Sequence, residues 1–426
     1  MRYLLVCLGF LSLFSCGSAP QRKFNKNIGK VLDSAAWQNQ FTGIFIYDPE
    51  QKDTLYRHHS DKYFTPASNT KIFTLFVAME LLPELLPQLQ YQIDADTIYI
   101  KGTGDPTLLH PYFKANKSLE LLRTASQVRW VYDQLDAHAM GPGWSWGDYD
   151  AYYAPERSEL PLYGNVVMAA TPADSAHWIS PEGFEHRWEQ EPPKFSRDQH
   201  INHFYLHTRD HTDTLEIPYI TDTTATRMLL ETYLDKKVDL VEAAPGETWE
   251  TIYGIPADSV YKRMMKNSDN FLAEQLLIQA SGMISDTLDP EKAIAFILEG
   301  PLAHLKQQPR WVDGSGLSRY NLFTPESMVA TLTQLYECYG TERLFAFFPE
   351  GGVSGTLKRY FPDADNTPYV HAKTGTLSNN YNLSGYLETR SGKLLVFSFM
   401  NNHYRESSTA VKQRMAPILE WIRDHY

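Results

Sequence analysis

A nearly continuous apolar run begins four residues after Ser68. Residues 72–82 are apolar almost all round, which is typical of a buried helix and not of a surface helix with one polar face. A helix over 68–82 places Ser68 at its N-terminus and Lys71 one turn later on the same face. The positive end of such a helix favours negative charge that develops at Ser68.

Alternating apolar and polar residues predict a sheet formed by both ends of the chain. The predicted strands are 43–47, 54–57, 369–374, 381–387 and 393–400. Helical spacing adds a predicted helix at 27–38 and another at 409–425. We therefore expect an α/β fold in which one antiparallel sheet is flanked by helices.

The chain has 426 residues, which is long for one hydrophobic core, so more than one domain is expected. Residues 86–244 carry short alternating segments and many prolines and aromatic residues, and predict a β-rich inserted domain. The insertion interrupts a domain made of 28–85 and 245–426, which contains the predicted sheet and Ser68. The strands predicted within the insertion are 96–100, 204–208 and 214–218.

Composition narrows the possible classes of function. Hydrophobic residues make up 43% of the chain and aromatic residues 13%, as in a folded protein. The net charge of −12, without a basic run, argues against nucleic-acid binding. The 14 histidines show no metal-binding spacing, so neither a metal nor another cofactor is predicted.

The N-terminus has the pattern of an export signal. Arg2 precedes the apolar run 3–14, which is too short to span a bilayer as a helix. The string L-F-S-C-G at 13–17 resembles a bacterial lipobox, which predicts a signal peptide over 1–16, lipidation of Cys16 and a polar tether over 17–27. An ordinary secretory signal with a coincidental cysteine is the alternative. Both place the mature chain in the bacterial envelope, in the periplasm, and the first adds a lipid anchor to a membrane.

Three polar motifs supply candidate chemistry: S-N-T-K at 68–71, S-D-N at 268–270 and K-T-G at 373–375. Together they provide a serine nucleophile, a lysine able to take its proton, a second polar pair and a cationic anchor. Each motif alone is weak, because Ser259 and Lys262 form a second S-x-x-K. Charged residues follow Ser259, whereas a buried helix follows Ser68, so Ser68 is the predicted nucleophile. Taken alone, Ser68 could be an ordinary helix cap and Lys373 a solvated strand end.

Longer strings around these motifs resemble the low-molecular-mass class C penicillin-binding proteins, which form the S13 peptidase family of D-alanyl-D-alanine carboxypeptidases and endopeptidases. The strings are P-A-S-N-T-K at 66–71, G-T-G-D-P-T-L at 102–108, M-M-K-N-S-D-N-F-L-A-E at 264–274, D-G-S-G-L-S at 313–318, G-V-S-G-T-L at 352–357 and A-K-T-G-T-L at 372–377. The resemblance implies a penicillin-binding, β-lactamase-like transpeptidase fold with a large insertion. It also implies peptidoglycan stem peptides as substrates and β-lactam antibiotics as inhibitors.

The resemblance further implies roles for the residues at matching positions. Ser68 forms the acyl-enzyme, and Lys71 takes its proton. Ser268 relays a proton to the leaving group, and Asn270 binds the amide on the acyl side. The backbone N–H groups of Ser68 and Thr376 form the oxyanion hole, where one donor is typically worth about 3–4 kcal/mol.

The third motif is expected on a strand at the edge of the sheet. Lys373 and Thr374 would bind the substrate carboxylate, and Gly375 leaves room for the acyl chain. The glycine-rich segments 314–316 and 352–355 are expected to border the cleft. An aromatic segment could form either a platform for glycan or peptide or a buried core of the insertion; its members are Trp144, Trp146, Tyr149, Tyr152 and Tyr153.

Two alternatives to a DD-peptidase use the same scaffold. A serine β-lactamase needs fast deacylation, but the chain has neither the E-x-x-L-N string of class A enzymes nor Y-x-N in place of 268–270. A non-catalytic cell-wall-binding lipoprotein would have lost some of the polar groups, whereas all three motifs are intact. The sequence therefore favours a serine-type D-Ala-D-Ala carboxypeptidase, with or without endopeptidase activity.

Overall fold

The computed structural model describes residues 19–426 except 115, 133, 172–176, 209–213 and 364–366, and describes 19–25 by backbone alone. The predicted signal peptide 1–16 and its Cys16 lie outside the described residues. The predicted N-terminal helix begins earlier than expected, at Ala19, and so within the segment 17–27 that was predicted as a tether. No helix in the described ranges is long and apolar enough to cross a membrane.

The two ends of the chain meet in one five-stranded antiparallel sheet. Its strands, in order across the sheet, are β13 (Val370–Leu377), β14 (Asn380–Glu388), β15 (Leu394–Asn402), β1 (Phe41–Asp48) and β2 (Asp53–His58). Strand β1 pairs with β15 over seven residues, which joins the N-terminal hairpin to the C-terminal meander. The strands predicted from alternation are confirmed, and β13, which carries the K-T-G motif, is an edge strand.

Helices cover both faces of this sheet. On one face lie α1 (Ala19–Leu32) and α9 (Ser408–His425). The helices on the other face are α2 (Lys71–Leu81), α5 (Ala257–Asn267), α6 (Asn270–Ser281), α7 (Pro290–Glu299) and α8 (Pro325–Phe347). Each face of the sheet forms a hydrophobic core with its helices. Because successive side chains of a strand point to opposite faces, Ile44 and Ile46 pack in the core with α1 and α9, and Phe45 packs in the core with α2 and α8.

The region between the first two motifs is rich in β-structure. Its main sheet has the order β11 (Val238–Val241), β5 (Gln127–Val131), β4 (Thr97–Lys101), β3 (Leu85–Asp94) and β12 (Glu250–Pro256). The other elements of the region are α3 (Lys117–Thr124), β6 (Val166–Ala170), β7 (Trp178–Ser180), β8 (Glu185–Glu189), β9 (His203–His207), β10 (Leu215–Pro218) and α4 (Thr223–Leu234).

This inserted region has its own hydrophobic core, separate from the two cores of the main sheet. Its sheet extends past the boundary expected at residue 244, because β12 pairs with β3. The chain leaves the inserted sheet at Pro256 and enters α5 at the next residue. Helix α5 leads directly to the second motif, so the inserted region is adjacent to Ser268.

Candidate active site

Ser68 lies in a single 3₁₀ turn, Ala67–Thr70, immediately before α2. Ser68 was predicted to be the first residue of the α-helix, but the regular helix begins at Lys71. Ala67 has a φ of +49°, a left-handed conformation that interrupts the helical backbone. Gly316 packs so closely on this turn that a Cβ there would lie 1.9 Å from the carbonyl oxygen of Ala67. The serine turn is therefore held in place from outside α2.

Lys71 is the first partner of the serine. Its Nζ donates to the Oγ of Ser68 at 3.0 Å, to the Oδ1 of Asn270 at 2.6 Å and to the carbonyl oxygen of Ser315 at 2.7 Å. These three acceptors use all three hydrogens of an ammonium group. A neutral amine would give up one of these donations and offer a lone pair to the Ser68 hydroxyl.

Burial makes the neutral form of Lys71 more accessible than that of an ordinary lysine. The side chain is fully buried, and this burial lowers the pKa of Lys71 to about 8. The negative charges of Asp313, Glu274 and Asp269 act in the opposite direction and keep the pKa from falling further. A lysine with a pKa near 8 can accept a proton from a serine at neutral pH.

The second motif occupies the junction of two helices. Helix α5 ends at Asn267, and Ser268 takes a left-handed conformation with φ of 59°. Asp269 then caps α6 by accepting a hydrogen bond from the backbone N–H of Leu272 at 3.1 Å. Asn270 is the first residue of α6, and its Nδ2 donates to the carbonyl oxygen of Tyr153 at 2.8 Å. The sharp turn brings Ser268 and Asn270 to the same cleft.

Lys373 on β13 connects the third motif to the second. Its Nζ donates to the Oγ of Ser268 at 2.7 Å and to the carbonyl oxygen of Thr374 at 2.8 Å. Burial first, and then the charge of Lys71, hold the pKa of Lys373 well below its ordinary value. An incoming carboxylate would favour the protonated form of Lys373, because opposite charges stabilise each other in a buried site.

Strand β13 passes directly along the serine turn. The Nδ2 of Asn69 donates to the carbonyl oxygen of Lys373 at 2.5 Å. A Cβ on Gly375 would lie 2.3 Å from the carbonyl oxygen of Pro66 and 3.2 Å from the backbone nitrogen of Ser68. Only glycine allows this approach. The absence of a side chain at Gly375 thus permits contact between the strand and the serine turn, and the use of Gly375 for the acyl chain stays a prediction.

The remaining predicted substrate-binding residues lie on the same strand. The Oγ1 of Thr374 donates to the Oγ1 of Thr356 at 2.8 Å, so the residue that directly follows the glycine-rich segment 352–355 contacts the third motif. Thr376 is exposed to solvent at the end of the strand. Contacts thus connect seven of the eight predicted catalytic and substrate-binding positions, and Thr376 follows Gly375 on the same strand. The roles assigned to these residues remain predictions.

Two buried carboxylates near Lys71 escaped the sequence analysis. Glu274 accepts a hydrogen bond from the backbone N–H of Ser315 at 2.7 Å. Asp313 accepts from the backbone N–H groups of Gly316 at 2.8 Å and Ser318 at 2.7 Å. Both carboxylates lie within the strings 264–274 and 313–318 that carried the resemblance. The acidic residue within each string is the sequence feature that could have identified these carboxylates as part of the site.

The second S-x-x-K motif lies on the protein surface. Ser259 and Lys262 are exposed on α5, in contrast to the buried Lys71.

In the aromatic segment, some side chains fit the prediction of a buried core and others fit that of an exposed platform. Trp144 is buried and donates from its Nε1 to the Oδ2 of Asp313 at 3.0 Å, whereas Trp146 and Tyr152 are 82% and 67% exposed.

Similarity to known proteins supplies the identification. A model of the D-Ala-D-Ala carboxypeptidase 3 (S13) family matches residues 24–179 and 253–425. The chain belongs to this family. The match omits 180–252, within the inserted region, where the sequence was least recognisable. The prediction of a serine-type D-Ala-D-Ala carboxypeptidase is therefore confirmed at the level of the family.

Individual relatives agree with this assignment. The chain is 26% identical to a D-alanyl-D-alanine carboxypeptidase of Actinomadura in an alignment of 496 positions, which covers 97% of this chain and 87% of the relative. It is 31% identical to the carboxypeptidase DacB of Haemophilus influenzae over 182 residues, which cover 40% of this chain and 37% of that protein.

Solved structures confirm the fold class. Penicillin-binding protein 4 (DacB) from Haemophilus influenzae has a TM-score of 0.74 to this chain at 19% sequence identity, and covers 93% of this chain and 99% of its own. A peptidoglycan endopeptidase of Bdellovibrio bacteriovorus has a TM-score of 0.51 at 14% identity, with coverage of 90% and 92%. The predicted penicillin-binding fold with an insertion is thus correct.

Proposed function

We propose that the chain hydrolyses D-Ala-D-Ala-type bonds of peptidoglycan stem peptides through an acyl-enzyme on Ser68. The observation that carries the proposal is a pair of serine–lysine contacts in one cleft. Lys71 contacts Ser68 at 3.0 Å, and Lys373 contacts Ser268 at 2.7 Å. One pair activates a nucleophile, and the other can serve a leaving group and a terminal carboxylate.

The contacts indicate a path for the protons. The Oγ of Ser68 attacks the carbonyl carbon of the penultimate D-Ala, and its proton passes to the neutral Nζ of Lys71. When the C–N bond breaks, the leaving amine takes a proton from the hydroxyl of Ser268, which regains one from Lys373. Lys71 then releases to solvent the proton that it took from Ser68, and Lys373 takes one up, so that both lysines regain their starting states. Water attacks the ester, and neutral Lys71 accepts a proton from that water and passes it to the Oγ of Ser68 as the acyl group leaves.

β-Lactams are the expected inhibitors, because their strained amide can acylate the same serine. Penicillin-binding protein 4 of Haemophilus influenzae has been solved in complex with a β-lactam, at a TM-score of 0.66 and 17% identity to this chain. The test is to incubate the purified chain with fluorescent penicillin and then with muropeptides, and to identify the products by mass. Release of D-Ala indicates a carboxypeptidase, and cleavage of cross-linked dimers indicates an endopeptidase. Rapid turnover of penicillin without muropeptide cleavage would instead indicate a β-lactamase.

Replacing Lys373 with methionine is expected to lower kcat/KM for D-Ala-D-Ala peptides by roughly ten- to a few-hundredfold. A charge-assisted hydrogen bond to the substrate carboxylate is worth about 1.5–3 kcal/mol, and this energy sets the expected range. Steady-state kinetics measure the effect, and thermal melting shows whether the variant folds. Lys358→Met, which alters an exposed lysine, is the matched control. An unchanged kcat/KM in a folded Lys373→Met variant would remove this residue from the substrate site.

We also propose that the mature chain begins at Cys16, carries lipid there and is held at a membrane of the bacterial envelope. The lipobox-like string at 13–17 supports this proposal. Stable anchoring needs more than one acyl chain, so a doubly or triply acylated cysteine is expected. Cys16→Ala should move the protein from the membrane fraction to the soluble fraction, whereas Cys338→Ala, which alters an exposed free cysteine, should not. Equal distribution of wild type and Cys16→Ala between the fractions would contradict lipidation.

A further inference from the structure

A buried glutamate, Glu274, is linked to Lys71 through the backbone of Ser315. Glu274 Oε1 accepts from the backbone N–H of Ser315 at 2.7 Å, and the carbonyl oxygen of Ser315 accepts from Lys71 Nζ at 2.7 Å. Burial, and then the charge of Asp313, raise the pKa of Glu274. The carboxylate therefore needs a compensating charge to remain ionised behind the lysine.

That charge comes from the inserted region. Arg157 Nη1 lies 3.7 Å from Glu274 Oε2, and the two side chains are only 3% and 1% exposed. Within the described part of the chain, this Glu274 oxygen has no hydrogen-bond partner, so Arg157 is the cation that faces it. The Arg157 guanidinium also lies 5.7 Å from the ring of Trp144, whose Nε1 donates to Asp313 at 3.0 Å. The inserted region thus contacts both carboxylates behind Lys71.

The other charges around Lys71 already have partners of their own. Asp313 accepts backbone hydrogen bonds from Gly316 and Ser318. Asp269 is 3.3 Å from Arg263 on α5, and the charge of Lys71 itself lowers the pKa of Lys373 on β13. Loss of Arg157 would therefore leave Glu274 as an uncompensated buried anion, which is a costly arrangement.

We propose that Arg157 is a positioning residue, which holds Glu274 as a balanced counter-charge behind Lys71 and thereby keeps Lys71 able to give up its proton. The inference rests on the proposed function, in which Lys71 is the base for Ser68. It gives the inserted region a part in the chemistry through Glu274 and Ser315, although Arg157 itself does not touch Ser68.

The test is the pH profile of acylation by fluorescent penicillin. In Arg157→Met, protonated Lys71 is the cation left to compensate ionised Glu274, so Lys71 holds its proton more tightly. The acid limb of the profile, over which the rate rises with pH, should therefore move to higher pH by about one unit. Acylation at neutral pH should fall about tenfold, while the rate on the alkaline plateau is retained. In Glu274→Gln the remaining charge of Arg157 disfavours protonated Lys71, so the acid limb of the pH profile should move to lower pH.

A double variant separates charge balance from packing. Arg157→Met/Glu274→Gln removes both charges and should return the limb to the wild-type position. Arg343→Met, which breaks a surface ion pair with Asp258 at 2.7 Å, is the matched control and should not move it.

The outcomes separate this inference from the proposed function. A limb that stays in place in both single variants, or stays displaced in the double variant, overturns the role of Arg157. If Arg157→Met does not fold, the direction of the shift in Glu274→Gln and the position of the limb in the double variant still decide. Wild-type protein that is not acylated at Ser68 at all would instead contradict the proposed function.

Discussion

Replacing Ser68 with alanine is expected to abolish covalent labelling by penicillin and to lower kcat for D-Ala-D-Ala peptides by about 10⁴- to 10⁶-fold. Loss of a serine nucleophile removes the acyl-enzyme path altogether, and losses of this order are typical of such variants. The fold should survive, because Ser68 lies in a short turn fixed by neighbouring contacts. Those contacts involve Asn69, Gly316 and Gly375, and none of them uses the Ser68 side chain.

The chain contains its own control for this experiment. Ser259→Ala alters the serine of the second S-x-x-K, which is exposed on α5, and should leave labelling unchanged. Mass spectrometry of the wild-type penicillin adduct should locate it on a peptide that contains Ser68. An adduct on a peptide that contains Ser259 would reverse the assignment of the nucleophile.

The sheet could be predicted because its signals are local. Alternation in β1, β2 and the meander β13–β15 identifies strands within a few residues, and a short turn sets each hairpin. The pairing of β3 with β12 has no such signal, because the whole inserted region separates the two strands. A boundary at 244 was therefore placed by composition, while hydrogen bonding carries the inserted sheet to Pro256.

The three motifs could also be read from the sequence, since each places its polar groups within four residues. The conformation of Ser68 could not, because the left-handed Ala67 depends on the approach of Gly316 from a distant loop. The same holds for the ion pair of Arg157 with Glu274, which joins the inserted region to α6. Contacts between distant segments need the tertiary structure, and these contacts set the electrostatics of the site.

Two buried lysines share this cleft, and their mutual repulsion shapes the chemistry. The charge of Lys71 lowers the pKa of Lys373, in addition to the effect of burial. Without a substrate, at least one of the two amines is therefore favoured in its neutral form. A substrate carboxylate at Lys373 favours the cation there and neutralises its charge, so Lys373 can be protonated without an unpaired second cation beside Lys71.

Replacing Lys71 with methionine is expected to slow acylation of Ser68 by about 10²- to 10⁴-fold, the usual contribution of a positioned general base. Wild-type acylation should rise with pH up to about 8 and then level off, because the pKa of Lys71 is about 8 and the neutral form is the active one. The Lys71→Met variant should lose this limb. Lys262→Met, which alters the exposed lysine of the second S-x-x-K, is the matched control.

Arginine at position 71 distinguishes a base from a fixed positive charge. Lys71→Arg keeps the charge beside Ser68 and Asn270, but a guanidinium does not release its proton at any pH used for the assay. If proton transfer to Lys71 drives acylation, Lys71→Arg should be as slow as Lys71→Met from neutral to alkaline pH. Stopped-flow measurement with fluorescent penicillin gives the rates, and thermal melting confirms that both variants fold. A Lys71→Arg variant that acylates at the wild-type rate would show that the site needs the charge and that another group takes the serine proton.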